Sequence, residues 1–160
     1  MATNGEKAYE LYQGAVGRAD GTGDWLEIDQ ARIQAFADVT QDQQFIHVDP
    51  DLCATLSPWG VPIAHGFLTL SLLTKLAESV PQPPERLEGI VMGVNYGFDK
   101  LRFLAPVSAG SNVRGRFRLL SAEDKGGGRW LLKHEVTVEI EGAEKPALVA
   151  EWLGMQVVGG

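Results

Sequence analysis

Asp42 and His47 stand five residues apart in the run Thr40-Gln41-Asp42-Gln43-Gln44-Phe45-Ile46-His47-Val48-Asp49-Pro50. A second run, Gly60-Val61-Pro62-Ile63-Ala64-His65-Gly66-Phe67, brings another imidazole and a glycine to the start of an apolar segment. Residues five apart do not share a helix face as residues four apart do, so an irregular turn must aim the carboxylate and the imidazole at one point. Such a point beside a helix N-terminus suits an enzyme that grips a water and stabilises an oxyanion. Each residue also has a plainer use. Asp42 can close an Asx turn, and His47 can serve as a packed histidine. Asp49, directly before Pro50, reads as a helix cap rather than a second base. His65 is placed to orient the loop. The spacing of His47, Asp49 and His65 is not that of a zinc helix motif, so no metal is expected.

The elements that must hold these residues follow from patterning. Asp29 caps a helix start, and Ile28 can staple onto Ile33; Ile33, Phe36, Ala37 and Thr40 then mark one side. Asp49-Pro50 opens a second, short helix that should stop before Ser57-Pro58-Trp59-Gly60. Gly66 to Val80 reads as one helix, apolar around nearly its whole circumference, hence wrapped by other elements. Pro81, Pro83 and Pro84 forbid its continuation.

After Gly89 the chain alternates as strands do, over Ile90–Leu104, Val113–Leu119, Trp130–Ile140 and Ala147–Val158. Gly93 and Gly97 suggest a bulge. The stretches 123–128 and 141–146 are hairpin turns, which make the sheet antiparallel. One buried helix and about four long strands give an α+β hot-dog fold, a sheet curled around a central helix. A first strand near Leu11–Val16 is expected to complete the sheet. Residues 1–160 form one domain with its core at about 16–158, and residues 1–10 are expected to be flexible. An open sheet edge is covered most simply in a homodimer.

Composition removes several classes of function. The net charge of −7 would repel nucleic acid or an anionic membrane. Arg114, Arg116 and Arg118 alternate along one strand face, where with Arg102 they can meet a phosphate-bearing ligand or only water. Gly126-Gly127-Gly128 lacks the lysine and helix start of a phosphate loop. Cys53 is the only cysteine, which fits a reducing compartment, and it reads as a packing residue. Neither a signal peptide nor a bilayer-length apolar run is visible, so a soluble cytoplasmic protein is expected. Asn95, polar in an apolar strand with glycine two positions on, can line a pocket or hold a loop. His134 reads as a hydrogen-bonded core or interface residue. Trp25, Trp59, Trp130 and Trp152 read as core or rim anchors.

The Asp42–His47 pair, the Pro62-Ile63-Ala64-His65-Gly66 segment and the helix after it resemble the MaoC-like hydratase/dehydratase family, which contains the (R)-specific enoyl-CoA hydratases. Asn95-Tyr96-Gly97-Phe98-Asp99-Lys100-Leu101-Arg102-Phe103 with Ala105-Pro106-Val107 looks like its nodulation protein N-like branch. The resemblance covers roughly Val16 to Val158. It implies a hot-dog lyase that adds water reversibly across a trans-2-enoyl thioester, giving the (3R)-3-hydroxyacyl thioester. Asp42 and His47 match the catalytic pair, and Gly66 matches the glycine whose N–H receives the thioester oxygen. Thr74 aligns with a serine that some hydratases carry near the site, and His65 and Asn95 join the substrate-binding set. Two departures fall on the turn: Gln41 replaces a glycine, and Gln44-Phe45 stands where Asn-Pro is common. The resemblance implies no metal or organic cofactor, coenzyme A being part of the substrate. An acyl-CoA is expected over an acidic acyl carrier protein, given the chain's own negative charge. A hot-dog thioesterase and a non-catalytic acyl-CoA-binding module are the alternatives.

Overall fold

In the computed structural model, which describes residues 3–81 and 89–159 without the side chains of Ala19 and Asp20, Thr3 caps the first helix, α1 (Asn4–Ala15). The Glu6 amide donates to the Thr3 hydroxyl and the Thr3 amide to the Glu6 carboxylate, a reciprocal capping box. The helix buries Ala8 and Tyr12, four residues apart, and Tyr12 lies 5.2 Å from the Trp130 ring. One expectation is therefore corrected: Leu11–Val16 ends a helix rather than forming the first strand. Residues 4–10 form the earlier turns of that helix, with Ala8 alone among them buried. Val16 closes α1 by donating its amide to the Tyr12 carbonyl.

Two short strands follow instead, β1 (Ala19–Thr22) and β2 (Leu26–Ile28). Next come α2 (Gln30–Thr40), α3 (Phe45–Val48) and α4 (Pro50–Leu56). Asp29 caps α2 by accepting from the Arg32 amide at 2.8 Å, with Ile28 and Ile33 both fully buried. Asp49 caps α4 by accepting from the Leu52 amide at 2.9 Å, with Pro50 in the first turn. Helix α4 ends at Ser57, as its turn residues require.

The central helix is interrupted. It runs as α5 (Gly66–Ser71) and α6 (Leu73–Glu78), joined end to end through Leu72. The Ser71 hydroxyl donates to the Leu68 carbonyl at 2.8 Å and competes with the regular ladder, while the Leu72 amide reaches several carbonyls at once. Leu68, Thr69, Leu73 and Leu76 are buried, but Phe67, Ser71 and Thr74 face outward. The helix is thus wrapped on one side rather than all round. Pro83 and Pro84 lie outside the described residues.

The wrapping sheet has six strands among the described residues. Its long members are β3 (Ile90–Phe103), β4 (Ser111–Asp124), β5 (Arg129–Ile140) and β6 (Leu148–Val158), all antiparallel to their neighbours. The order β1-β4-β5-β6-β3 leaves β3 on an open edge, with β2 also pairing β4. The register of β3 slips between Asn95 and Gly97, where the glycine pattern places a bulge, and again between Asp99 and Arg102. The buried faces of β4 and β5 close on Ile33, Leu68, Leu73 and Leu76. This is the α+β hot-dog arrangement. No helix among the described residues is long and apolar enough to cross a membrane.

Candidate active site

Three segments converge at the start of α5. The first is the turn after α2. Gln41 ends that helix in the left-handed conformation, φ 62° and ψ 22°, which swings Asp42 away from the helix axis. The second is α3, anchored where the Gln30 side-chain amide donates to the His47 carbonyl at 2.8 Å. The third is the strand-like 62–64 segment. Its Ile63 amide donates to the Ile46 carbonyl at 2.9 Å, and its Ala64 amide to the Val107 carbonyl at 2.7 Å. These bonds place His47, His65 and Gly66 side by side.

One carboxylate oxygen of Asp42 and one ring nitrogen from each of His47 and His65 lie within 4.8 Å of one another. Asp42 is 54% exposed, whereas His47 and His65 retain only 8% and 3% of their surface. The His47 Nδ1–H donates to the Ile63 carbonyl at 2.6 Å, and a carbonyl only accepts, so Nε2 carries the lone pair of the neutral ring. Burial holds His47 below the usual imidazole range. The Ile63 hydrogen bond and Asp42 act the other way, and the neighbouring His65 adds to the lowering. His65 donates from Nε2 to the Asp42 main-chain carbonyl at 3.0 Å, and its buried Nδ1 meets no partner among the described residues.

The three groups are spaced as metal ligands can be, and each histidine keeps one nitrogen on a carbonyl; the two rings stack with planes 24° apart. Asp49 takes no part, being the cap of α4.

Gly66 is the first residue of α5, among the amides a helix start leaves without an intrahelical acceptor. A Cβ there would sit 3.0 Å from two ring carbons of Phe103 at the end of β3. Phe67 meets the same ring edge-on at 5.9 Å. The sequence signals no such neighbour, because Phe103 reads only as one more apolar strand residue. The Ile63 carbonyl that fixes the His47 tautomer is equally invisible, being main chain.

Thr74 and Asn95 lie elsewhere. Both line a cavity of about 860 Å³ bounded by α1, α6 and the faces of β3, β5 and β6, together with His134 and Trp152. Asp42, His47, His65 and Gly66 are not part of its lining. Of these four only Asp42 is exposed; His47 and His65 are buried and Gly66 is half-buried. The arginines do not form a free basic patch. Arg114 and Arg116 pair with Glu139, Arg118 with Glu135 at 2.9 Å, and Arg102 donates to the Leu101 carbonyl. Cys53 is fully buried, donates weakly to the Phe45 carbonyl at 3.4 Å, and has its thiol pushed up by burial. Of the tryptophans, Trp130 is core, Trp152 is half-buried, and Trp25 and Trp59 are rim residues, Trp25 under the Arg114 guanidinium.

Comparison with known proteins identifies the chain's relatives. The chain is 48% identical over 139 residues to nodulation protein N of Rhizobium leguminosarum bv. viciae, covering 86% of this chain and 84% of that protein. It is 44% identical over 137 residues to 3-hydroxyacyl-thioester dehydratase Z of Mycobacterium tuberculosis, covering 86% and 87%. An R-hydratase from Pseudomonas aeruginosa superposes with a TM-score of 0.67 at 25% identity, covering 90% of this chain and 83% of that one. The MaoC like domain matches residues 12–142, from the last turns of α1 to the end of β5 and the turn after it. With most of its length inside that match, the chain belongs to the MaoC-like family.

Proposed function

We propose that the protein is a cofactor-independent (R)-specific enoyl-CoA hydratase, acting in reverse as a 3-hydroxyacyl thioester dehydratase. The observation that carries this reading is the approach of Asp42 and His47, within 4.8 Å, beside the amide that opens α5. One water at about 2.8 Å from each group spans that gap. His47 Nε2, unprotonated because Nδ1 carries the hydrogen, takes a proton from the water as it adds to C3 of the enoyl thioester. The pair returns a proton to C2. The negative charge that develops on the thioester oxygen is met by the Gly66 N–H, reinforced by the unpaired amides of the first helical turn. Atoms balance without metal, nucleotide or redox partner. The named activities of dehydratase Z and of the R-hydratase support the same reaction class.

The working enzyme in this reading is a cytoplasmic homodimer. Val91, Met92, Val94 and Tyr96 are exposed along the open β3 edge, and Phe67 beside Gly66 is 66% exposed. A second copy paired along β3 would cover that edge and enclose the site. An acyl-CoA is the expected carrier rather than an acidic acyl carrier protein, given the chain's net charge of −7 and the pairing of Arg114, Arg116 and Arg118 with glutamates.

The test is hydration of crotonyl-CoA, followed by loss of enoyl absorbance with free thiol measured in parallel. Lost conjugation without thiol supports hydration. Released thiol supports a thioesterase, and neither signal leaves an acyl-CoA-binding module. Asp42→Asn and His47→Gln should each lower turnover at least about a hundredfold. Near-normal activity in either variant removes that residue from the mechanism.

A further inference from the structure

We propose that helix α2 sets the spacing of the catalytic pair through its own polar side chains: Gln30 at its start positions His47, and Gln34 and Asp38 further along position the turn that carries Asp42. What the pair does rests on the hydratase reading; how it is held rests on the bonds of α2.

The segment that carries His47 cannot hold itself. Helix α3 has four residues, a single turn, and a helix that short is not stable without outside partners. Its carbonyls are met by residues beyond it. Phe45 accepts from the Asp49 amide at 3.0 Å and from the Cys53 thiol at 3.4 Å, and Ile46 accepts from the Ile63 amide at 2.9 Å. The His47 carbonyl accepts from Gln30 Nε2 at 2.8 Å, a side chain that reaches across from the first residue of α2. That bond is partly buried, so water replaces it poorly when the donor is removed.

The far end of α2 tethers the neighbour of Asp42. Asp38 Oδ1 accepts from Gln34 Nε2 at 2.9 Å and from Gln43 Nε2 at 2.8 Å, while Gln34 also donates to Gln43 Oε1 at 3.3 Å. Three side chains thus close a triangle that ties the turn back to the helix it has just left. A carboxylate acceptor makes the two shorter bonds charge-assisted. Gln30, Gln34 and Asp38 stand four residues apart, so they form one stripe along α2, roughly 12 Å from end to end. Ile33 and Ala37, fully buried, fix the same helix to the core. One rod therefore holds both halves of the pair, His47 by its carbonyl and Asp42 by the residue beside it. None of the three stripe residues needs to touch substrate; they are positioning residues. Their types carry no such signal in the sequence, where they read as the solvated side of an amphipathic helix.

Three variants test this. Gln30→Met keeps the length of the side chain and loses the donor. Asp38→Leu removes the acceptor shared by both glutamines, and Asp38→Asn keeps an oxygen in its place. Hydrogen exchange of the whole protein reads the tether without turnover: in Gln30→Met the His47 and Asp49 amides should exchange about fivefold faster, with those of β4 and β5 unchanged. Unaltered exchange at His47 and Asp49 overturns the proposal. On crotonyl-CoA, Gln30→Met and Asp38→Leu should each lower kcat about tenfold with a smaller change in KM, and Asp38→Asn should keep most of the native rate. If the native protein hydrates crotonyl-CoA and both variants match its kcat, α2 does not position the pair and the hydratase reading stands. If the native protein shows no hydration, the hydratase reading fails, and the exchange rates still decide whether Gln30 holds the His47 segment. A loss confined to KM, or one that Asp38→Asn shares in full with Asp38→Leu, also counts against the proposal. Should Gln30→Met lose its thermal transition, the Asp38 pair, on the exposed side of the helix, decides.

Discussion

The His47 ring lies stacked on the His65 ring, centroids 3.7 Å and planes 24° apart, and the Phe36 ring also meets His65, tilted, at 4.9 Å. His65 therefore acts on the pair twice. Its ring backs His47, and its Nε2–H holds the Asp42 carbonyl at 3.0 Å. Two substitutions separate these roles. Gln at position 65 can keep a donor near the Nε2 position but loses the flat ring, whereas Phe keeps the ring and loses the donor. Both should lower kcat about tenfold or more with a smaller change in KM, because misplaced acid–base groups affect the transition state most. Steady-state kinetics on crotonyl-CoA checks this. Unchanged kcat in both variants makes His65 a spectator.

The pH dependence follows from the direction of the His47 shift. Burial, the largest influence, disfavours the charged ring, so the folded-state value lies below the ordinary 6.5. The unfolded chain then binds more protons near that pH. His47 thus contributes stability that is fully present above about 6.5 and is lost as pH falls from there through the folded value. With the neutral ring as the proposed base, kcat/KM should fall on the acid side with a midpoint below about 6.5. His47→Gln should erase that limb. A midpoint above the ordinary imidazole value would contradict the buried, carbonyl-tethered geometry.

What could be read from the chain in advance divides along a physical line. Elements with strict periodicity or local capping chemistry were legible: Asp29 and Asp49 as caps, the alternation of β4 and β5, and the hairpins between them. The Thr3-Asn4-Gly5-Glu6 capping box was missed, because the polar composition of the first ten residues hid it and only Ala8 and Tyr12 of the helix are buried. The break at Leu72 depends on which carbonyl the Ser71 hydroxyl selects, which no pattern of apolar residues encodes. In the candidate site, residue types and spacing pointed to Asp42, His47 and Gly66. The tautomer of His47, the stack on His65 and the Phe103 ring over Gly66 come from main-chain carbonyls and long-range packing, which spacing does not report.

Gln41 gives a stability test independent of activity. It holds φ at 62°, a conformation that costs a residue with a Cβ on the order of 1 kcal/mol and glycine very little. Gln41→Gly should stabilise the protein by about 1 kcal/mol, raising the thermal midpoint by about 2–4 °C for a chain of this size. Scanning calorimetry measures it. A lowered midpoint would mean that the glutamine side chain contributes more than its backbone strain removes.

The last test concerns why position 66 is glycine. The substrate argument requires open space for a thioester oxygen in front of the N–H. The structure adds a second reason, since a Cβ would press on the Phe103 ring at 3.0 Å. Phe103 is about half exposed and can swing outward, so Gly66→Ala should fold with little loss of stability. Its kcat should fall about tenfold or more, with KM changing less, because a donor displaced by part of an ångström weakens the transition state more than ground-state binding. Combining it with Phe103→Ala separates the causes. If the ring displaces the helix start, the double variant regains most of the lost kcat relative to Phe103→Ala alone. If the new methyl group itself blocks the carbonyl, the loss persists in the double variant, and the glycine is there for the substrate rather than for the strand.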